Sequence, residues 1–353
     1  MGPLSRTSRE QRGETRKLQV TGGSTYIVSL PKKWITKNAL KKGSLLTFLE
    51  EEDGSMSILS PSELIREEEP NEALIKVSHD ENSESIIRKV VSIYLIGYNI
   101  MRVKARDQQQ LSSQQRNKIK NFARDLFVGT EIVTDTPTEL TLQVLLSYPE
   151  LSIQSALRRM CIITSSMHRD AITALKELDF PLAQSVIATD DEVDRFNLYV
   201  VRQLKTAMQN PKVMKEIGLT SARDCLGYRL VTKLVERAAD HAANIAENVL
   251  LLKKTVDKEV LKGFEEMSTL AVSVFEKAIE SLFRLDFNLA ETVIQKTNEI
   301  DFAGKEAFVS SRRIGKEDIA NLRLVIESLR RTAEYASDIA EIVLNMTVKS
   351  VIG

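Results

Sequence analysis

The chain has 353 residues, of which 42% are hydrophobic, 28% charged and only 5% aromatic. Those proportions exclude a wholly disordered or collagen-like chain and favour helical bundles over a β-sandwich; the length suits two or three domains. Basic and acidic residues each number 49, so any nucleic-acid surface must come from local charge. Cys161 and Cys225 make no disulfide framework and read as small buried residues in a reducing cytosol. No apolar run reaches the roughly 18 residues of a membrane span. The polar, Arg-rich N-terminus lacks the apolar segment of a secretory signal.

The charge is unevenly spread. Residues 1–49 hold ten Lys or Arg against Glu10 and Glu14, a local excess of eight positive charges. The remainder carries the matching negative excess. This asymmetry suggests a polyanion-binding module on an acidic body, although a basic solubilising tail would have the same charge. Residues 1–15 read as a disordered tail.

From Leu18 the elements read in order. LQV, a TGGS turn and TYIVSL form a first pair of strands. Pro31 stops the second strand and opens a short helix, PKKWITKNAL, with Trp34, Ile35 and Leu40 free to pack. LKKGS turns, and SLLTFLEEEDGSMSILS is a hairpin around Asp53-Gly54. About 45 residues bury little core alone, so this module is expected to dimerise.

The runs RKLQVTGGSTYIVSLPKKW and LKKGSLLTFLEEEDGSMSIL resemble the AbrB/MazE-type (SpoVT-AbrB) swapped-hairpin DNA-binding domain, here over residues 16–62. The resemblance implies an intertwined homodimer whose basic loops and strand ends lie against DNA. The residues it points to are Arg16, Lys17, Lys32 and Lys33, with backbone amides at Gly22, Gly23 and Ser24 for phosphates. Such contacts bind mainly the backbone and weaken with salt. No recognition helix is evident, so no base sequence is expected.

An acidic linker, SELIREEEPNE, leads to residues 72–148. ALIKVS, a helix with Ile86, Val90, Ile93 and Ile96 at helical spacing, IMRVKAR, a second helix ending near Gly129, and two strands around Pro137 give the order βαβαββ. That order suggests a small split-βαβ, ACT-like sheet. It shows no phosphate loop or catalytic constellation, and either a small effector or a spacer role is open.

From Leu151 onward the pattern is helical and repeated. LKELDFPLAQSVIATDDEVD matches LFRLDFNLAETVIQKTNEID, and NIAENVL at Asn244 matches DIAEIVL at Asp338. Two helical repeats are expected, over 150–255 and 257–350. In the first, Asp190 and Asp194 lie one turn apart, as do Glu236 and Asp240, with Glu247 near the Glu236 face. The apolar stripe Ala238, Ala242, Ile245 and Val249 falls on the opposite side. Two such helices side by side can offer four hard oxygen ligands to a cation. Paired carboxylates on an amphipathic helix are otherwise simply solvated.

DDEVD followed by VERAADHAANIAE resembles the PhoU family, whose paired three-helix bundles carry an acidic-x-x-x-Asp motif on two helices per repeat. The resemblance covers roughly residues 150–350 and implies a divalent or iron-type cation on Asp190, Asp194, Glu236 and Asp240. The second repeat departs from the motif. Thr297 precedes Asp301 where the first acid should stand, and Arg330 precedes Glu334. Asn298, Glu299 and Asp338 do not obviously replace the missing acids, so one site is expected.

The whole therefore looks like archaeal PhoU-like phosphate-uptake regulators with an AbrB-like head: a multidomain chain with a small swapped-hairpin β head, an α/β middle and two three-helix bundles. That likeness implies a cytoplasmic, homodimeric, DNA-binding regulator of phosphate uptake. The alternative is an adaptor that acts on a phosphate transporter or sensor protein by protein contact. A metal-dependent hydrolase is the weakest reading. Ser166, His168 and Cys225 form no legible catalytic set, His79 has no evident partner, and His241 reads as surface or as a neighbour of the ligands. No nucleotide-binding loop or HExxH motif is present, so no enzymatic activity is expected.

Overall fold

The computed structural model describes residues 14–50, 54–61, 72–107, 109–145, 151–297, 318–348 and 351–352; the side chains of residues 211 and 212 fall outside that description. The expected N-terminal tail lies almost wholly outside it, as do Asn298, Glu299 and Asp301. The chain divides into two compact units, 1–70 and 71–353.

In the first unit, β1 (Gln19–Thr21) pairs antiparallel with β2 (Thr25–Ile27), Val20 facing Tyr26. Helix α1 (Lys32–Lys37) follows Pro31, which stands at its N-cap. Strands β3 (Thr47–Glu50) and β4 (Met56–Leu59) make the second antiparallel pair. Residues 51–53 of the expected Asp53-Gly54 turn are not described. The only buried residue described here is Ser60. Trp34, Ile35 and Leu40 are half-buried, while Leu18, Val20, Tyr26, Leu45, Phe48 and Met56 are exposed, Leu45 by 84%. Two isolated hairpins are marginal in water, and among the described residues of this unit most of the apolar side chains are exposed or only half-buried.

The second unit begins with β5 (Glu72–Val77), α2 (Ser83–Ile96), β6 (Ile100–Ala105), α3 (Ser113–Leu126), β7 (Thr130–Asp135) and β8 (Glu139–Val144). The sheet order is β5-β6-β8-β7. Strands β5 and β6 are parallel and directly paired, Ile75 opposite Val103, and the other pairings are antiparallel. No strand separates the two parallel ones, so the βαβ unit is not split as the element order suggested. The short return from β7 lets β8 pair directly with β6. Ile75, Val77, Met101, Val103, Leu140 and Leu142 form the buried face with Ile86, Val90, Tyr94, Ile119 and Phe127. The Tyr94 and Phe127 rings stack at 4.0 Å. Ile96, on the expected apolar stripe, is exposed.

The helical half comprises α4 (Ile153–Glu177), α5 (Phe180–Ala207), the short α6 (Pro211–Glu216), α7 (Ala222–Leu250), α8 (Lys258–Arg284), α9 (287–297 as far as described) and α10 (Ile319–Thr347). The repeated LDF marks the same turn twice. Leu178 and Leu285 end α4 and α8 in left-handed conformation, at φ 54° and 50°. Asp179 and Asp286 then accept from the amides of Leu182 and Leu289, capping the next helix. Helix α7 packs against α4, α5 and α10. That crowding explains its alanines: Ala238, Ala239, Ala242, Ala243 and Ala246 are all buried.

Equivalent positions of the two repeats meet each other. Arg169 on α4 bonds Glu276 on α8 at 2.5 Å, and His241 on α7 bonds Tyr335 on α10 at 3.3 Å. Contacts between equivalent residues place both pairs near an internal two-fold. His168 sits fully buried beside this junction, its Nε2 2.9 Å from the Ala238 carbonyl and 3.2 Å from Thr332 Oγ1.

The α/β layer and the helices join through Arg202 on α5. Its guanidinium, in a residue only 3% exposed, donates to the carbonyls of Tyr94, Tyr98 (2.9 Å) and Gly97 (3.0 Å) and to Asn99 Oδ1 (2.8 Å). These acceptors cluster at the C-terminal end of α2, where unpaired carbonyls and the helix dipole favour a cation. Gly97 there has φ 113°, and a Cβ would come within 2.9 Å of Thr206 Oγ1. Only glycine meets both demands. Arg202→Met should therefore lower stability by about 3 kcal/mol, because it strands several buried acceptors. Urea unfolding of this variant beside wild type measures that loss.

Candidate functional site

Asp190 and Asp194 project from α5 toward α7, which supplies Glu236 and Asp240. The strongest repulsion on Asp190 comes from Asp240, and that on Asp194 from Glu236, as expected for antiparallel helices. Burial, followed by these like charges, pushes the Asp190 carboxyl up to about 7 and the Asp194 carboxyl up to about 6. Burial, then Glu236, raises Asp240 as well. Asp190 Oδ1 is buried without a hydrogen-bond partner, and so is Asn197 Oδ1 two turns along the same stripe of α5.

Glu236 was expected opposite the apolar stripe of α7; it is in fact buried, because α5 covers that side too. Glu247 faces solvent. Lys233, one turn before Glu236, places its ammonium on both Glu236 oxygens. The i, i+3 spacing of that pair is visible in the sequence.

The donor set is all hard oxygen, the chemistry a hard cation prefers, and one oxygen, Asp190 Oδ1, is buried without a partner. Among the described residues, no three His, Cys, Asp or Glu side chains converge closely enough to hold a metal ion. The positive charge beside Glu236 is the protein's own.

In the second repeat, Thr297 turns its hydroxyl back to the Val293 carbonyl at 3.0 Å. Arg330 donates to Glu334 and, at 2.7 and 3.0 Å, to both oxygens of Glu327. Arg331 joins the same two glutamates. These carboxylates are spoken for by fixed guanidinium groups.

The basic residues of the head are on its surface. Arg16, Lys17, Gly22, Gly23, Ser24, Lys32 and Lys33 are all exposed. Gly22 and Gly23, at φ 60° and 85°, turn the β1–β2 hairpin, a conformation that side-chain-bearing residues rarely adopt.

Other candidates carry no chemistry. Ser166 bonds Asp170 on the exposed side of α4, whereas His168 points into the core, so no triad forms. Cys161 and Cys225 are free and buried, and burial raises both thiols. His241, read from sequence as surface or a neighbour of the ligands, instead bridges to Ser328 and Tyr335. His79 Nδ1 lies 2.8 Å from the Gln110 carbonyl. No described helix is long and apolar enough to cross a membrane.

The PhoU domain family matches residues 157–249 and 264–343, the two helical repeats. The family described as antidote-toxin recognition MazE, bacterial antitoxin, matches residues 19–66. Curated relatives include a phosphate-specific transport system accessory protein PhoU homolog from Caulobacter vibrioides, 25% identical over 52% of this chain and 82% of its own. A PhoU homolog 1 from Thermotoga maritima is 27% identical over 54% and 84%. The crystal structure of PhoU from Pseudomonas aeruginosa superposes with a TM-score of 0.50 at 21% identity, over 56% of this chain and 96% of that one, and shares the fold.

The raised carboxyls have a thermodynamic consequence. Asp190 and Asp194 bind protons more readily folded than unfolded. Their contribution to stability is therefore fullest below about pH 4 and is lost as pH rises through about 6 to 7. Asp190→Asn should raise the melting temperature at pH 8 and flatten its fall between pH 5 and 8. A melting series without metal checks this, and an unchanged slope would sink the assignment.

Proposed function

We propose that the protein is a DNA-binding regulator of phosphate uptake, acting in the cytoplasm as a homodimer. The observation that carries this reading is the combination in one chain of PhoU-like repeats with a MazE-like head whose described basic residues are exposed. The relatives are named as accessory proteins of phosphate-specific transport, which supports phosphate uptake as the regulated process. Arg16, Lys17, Lys32, Lys33 and the Gly22–Ser24 amides would contact the DNA backbone. Asp190, Asp194, Glu236 and Asp240 would hold a divalent or iron-type cation, whose charge relieves the repulsion between α5 and α7. The resulting shift would alter the DNA-binding state, which requires a different cation affinity in the two states.

A second reading has specific support. The curated relatives named above match about half of this chain. An adaptor that docks on a phosphate transporter or sensor protein needs no DNA, and its head would serve dimerisation alone.

Binding of the full chain to DNA upstream of its own gene and of phosphate-transport genes, across a salt series, separates the two. The regulator reading expects tight, salt-steep binding to some fragments over others, lost in the Lys32→Glu/Lys33→Glu variant. Binding no better than to random DNA, by a folded dimer at physiological salt, sinks it and leaves the adaptor.

Dimerisation has its own test, because the exposed apolar residues of the head need a partner surface. Phe48→Asp should shift light-scattering mass from dimer toward monomer while the helical signal and melting of the second unit hold. An unchanged mass would remove the head from the interface.

A further inference from the structure

A groove runs along the seam between the two repeats, where α4 and α8 lie antiparallel. Arg158 meets Phe283 at one end, and Lys176 meets Glu265 at the other. The two contacts are equivalents of each other: 158 and 265, like 176 and 283, stand at the same 107-residue offset as Leu178 and Leu285. At one end the pair closes as a salt bridge of 2.8 Å. At the other, Phe283 stands in place of the lysine and Arg158 in place of the glutamate, its guanidinium 4.0 Å from the centre of the ring. No carboxylate among the described residues pairs with Arg158. Beside it the groove opens into a cavity of about 380 Å³. Cys161, Phe275 and Ile279 are buried at its floor, and Ile162, 67% exposed, stands at its mouth. Ser165 also lines the cavity; it is 3% exposed, and its hydroxyl has no partner among the described residues. The two acids of the rim are already matched, Glu276 by Arg169 and Glu280 by Arg284.

We propose that this cavity binds a small amphipathic anion, an aliphatic chain that ends in a carboxylate. Its size and make-up are those of a small-molecule site: a few hundred cubic ångströms, mostly apolar walls and a few polar groups that fix orientation. The chain of such a ligand covers Phe275 and Ile279 and takes Ile162 out of water. The carboxylate meets Arg158, whose edge donors stay free because the Phe283 ring engages the face of the guanidinium. That contact supplies the negative charge which Glu265 supplies to Lys176 at the other end of the seam. Ser165 lies seven residues farther along α4, about 10.5 Å away, and its hydroxyl is open to an oxygen on the far part of the chain. The ligand touches α4 of one repeat and α8 of the other, so binding fixes the two repeats against each other. The inference uses neither DNA nor a bound cation and is independent of the reading above.

The test is calorimetric titration of the full-length protein with decanoate. Two probes run beside it: decyltrimethylammonium, with a like chain and the opposite charge, and acetate, with the charge and no chain. Decanoate should saturate the protein and bind at least about tenfold tighter than the ammonium, the difference one charged contact makes. Acetate should not saturate it. Arg158→Gln should weaken decanoate binding at least about tenfold, and Arg158→Lys, which keeps the charge, should weaken it less. Ile162→Glu should weaken it by a similar factor, since it sets a like charge at the mouth of the cavity. Both positions are exposed, so circular dichroism and melting should match wild type. No saturable decanoate binding, or equal affinities for decanoate and the ammonium, overturns the proposal. Decanoate affinity unchanged in Arg158→Gln and Ile162→Glu overturns it too, because the ligand then sits on other apolar surface.

Discussion

Helix α7 must pack on three sides at once. It is enclosed by α4, α5 and α10, and close packing in protein interiors leaves no slack for large side chains on every face. Alanine at 238, 239, 242, 243 and 246 is the solution, and it brings the helices close together. That closeness buries Glu236 and half-buries Asp240 against Asp190 and Asp194. The repulsion within the site follows from a packing requirement of the core.

Charge placement then distinguishes two halves built to one plan. Paired equivalent residues, Arg169 with Glu276 and His241 with Tyr335, show how closely the repeats mirror each other. Within that symmetry the carboxylate faces diverge. One retains acids whose protonation is favoured by burial and mutual repulsion, tempered by a half-exposed lysine. The other has converted an acid to Arg330 and saturated its neighbours. With the scaffold preserved, the two carboxylate faces differ in the cations that partner them.

The α/β layer is bound to this scaffold by a buried arginine that has the C-terminus of a helix as its electrostatic partner. Helix α5 carries both Arg202 and the two aspartates, eight or more residues apart on one rigid rod. The layer and the carboxylates therefore share an element, and neither is an independent attachment. Tyr94, stacked on Phe127 and lying under the Arg202 guanidinium, completes the joint.

Much of this was legible in one dimension. Period-3.6 apolar spacing, the LDF punctuation and the 107-residue offset of Leu178 and Leu285 located the helices and their repetition, because caps and turns are local chemistry. The i, i+4 spacing paired Asp190 with Asp194 and Glu236 with Asp240, and charge counting isolated the basic head. Three things needed the folded chain. Strand order is a long-range choice, so βαβαββ did not reveal that β5 and β6 are neighbours. Burial of Glu236 depends on α5 covering a helix face that amphipathicity assigns to water. The partners of His168, Arg202 and His241 lie far away in sequence, where spacing has no information. Sequence by itself determined which residues share a helix face; tertiary packing decided what each face meets, because burial and charge pairing are properties of neighbours brought together only by the fold.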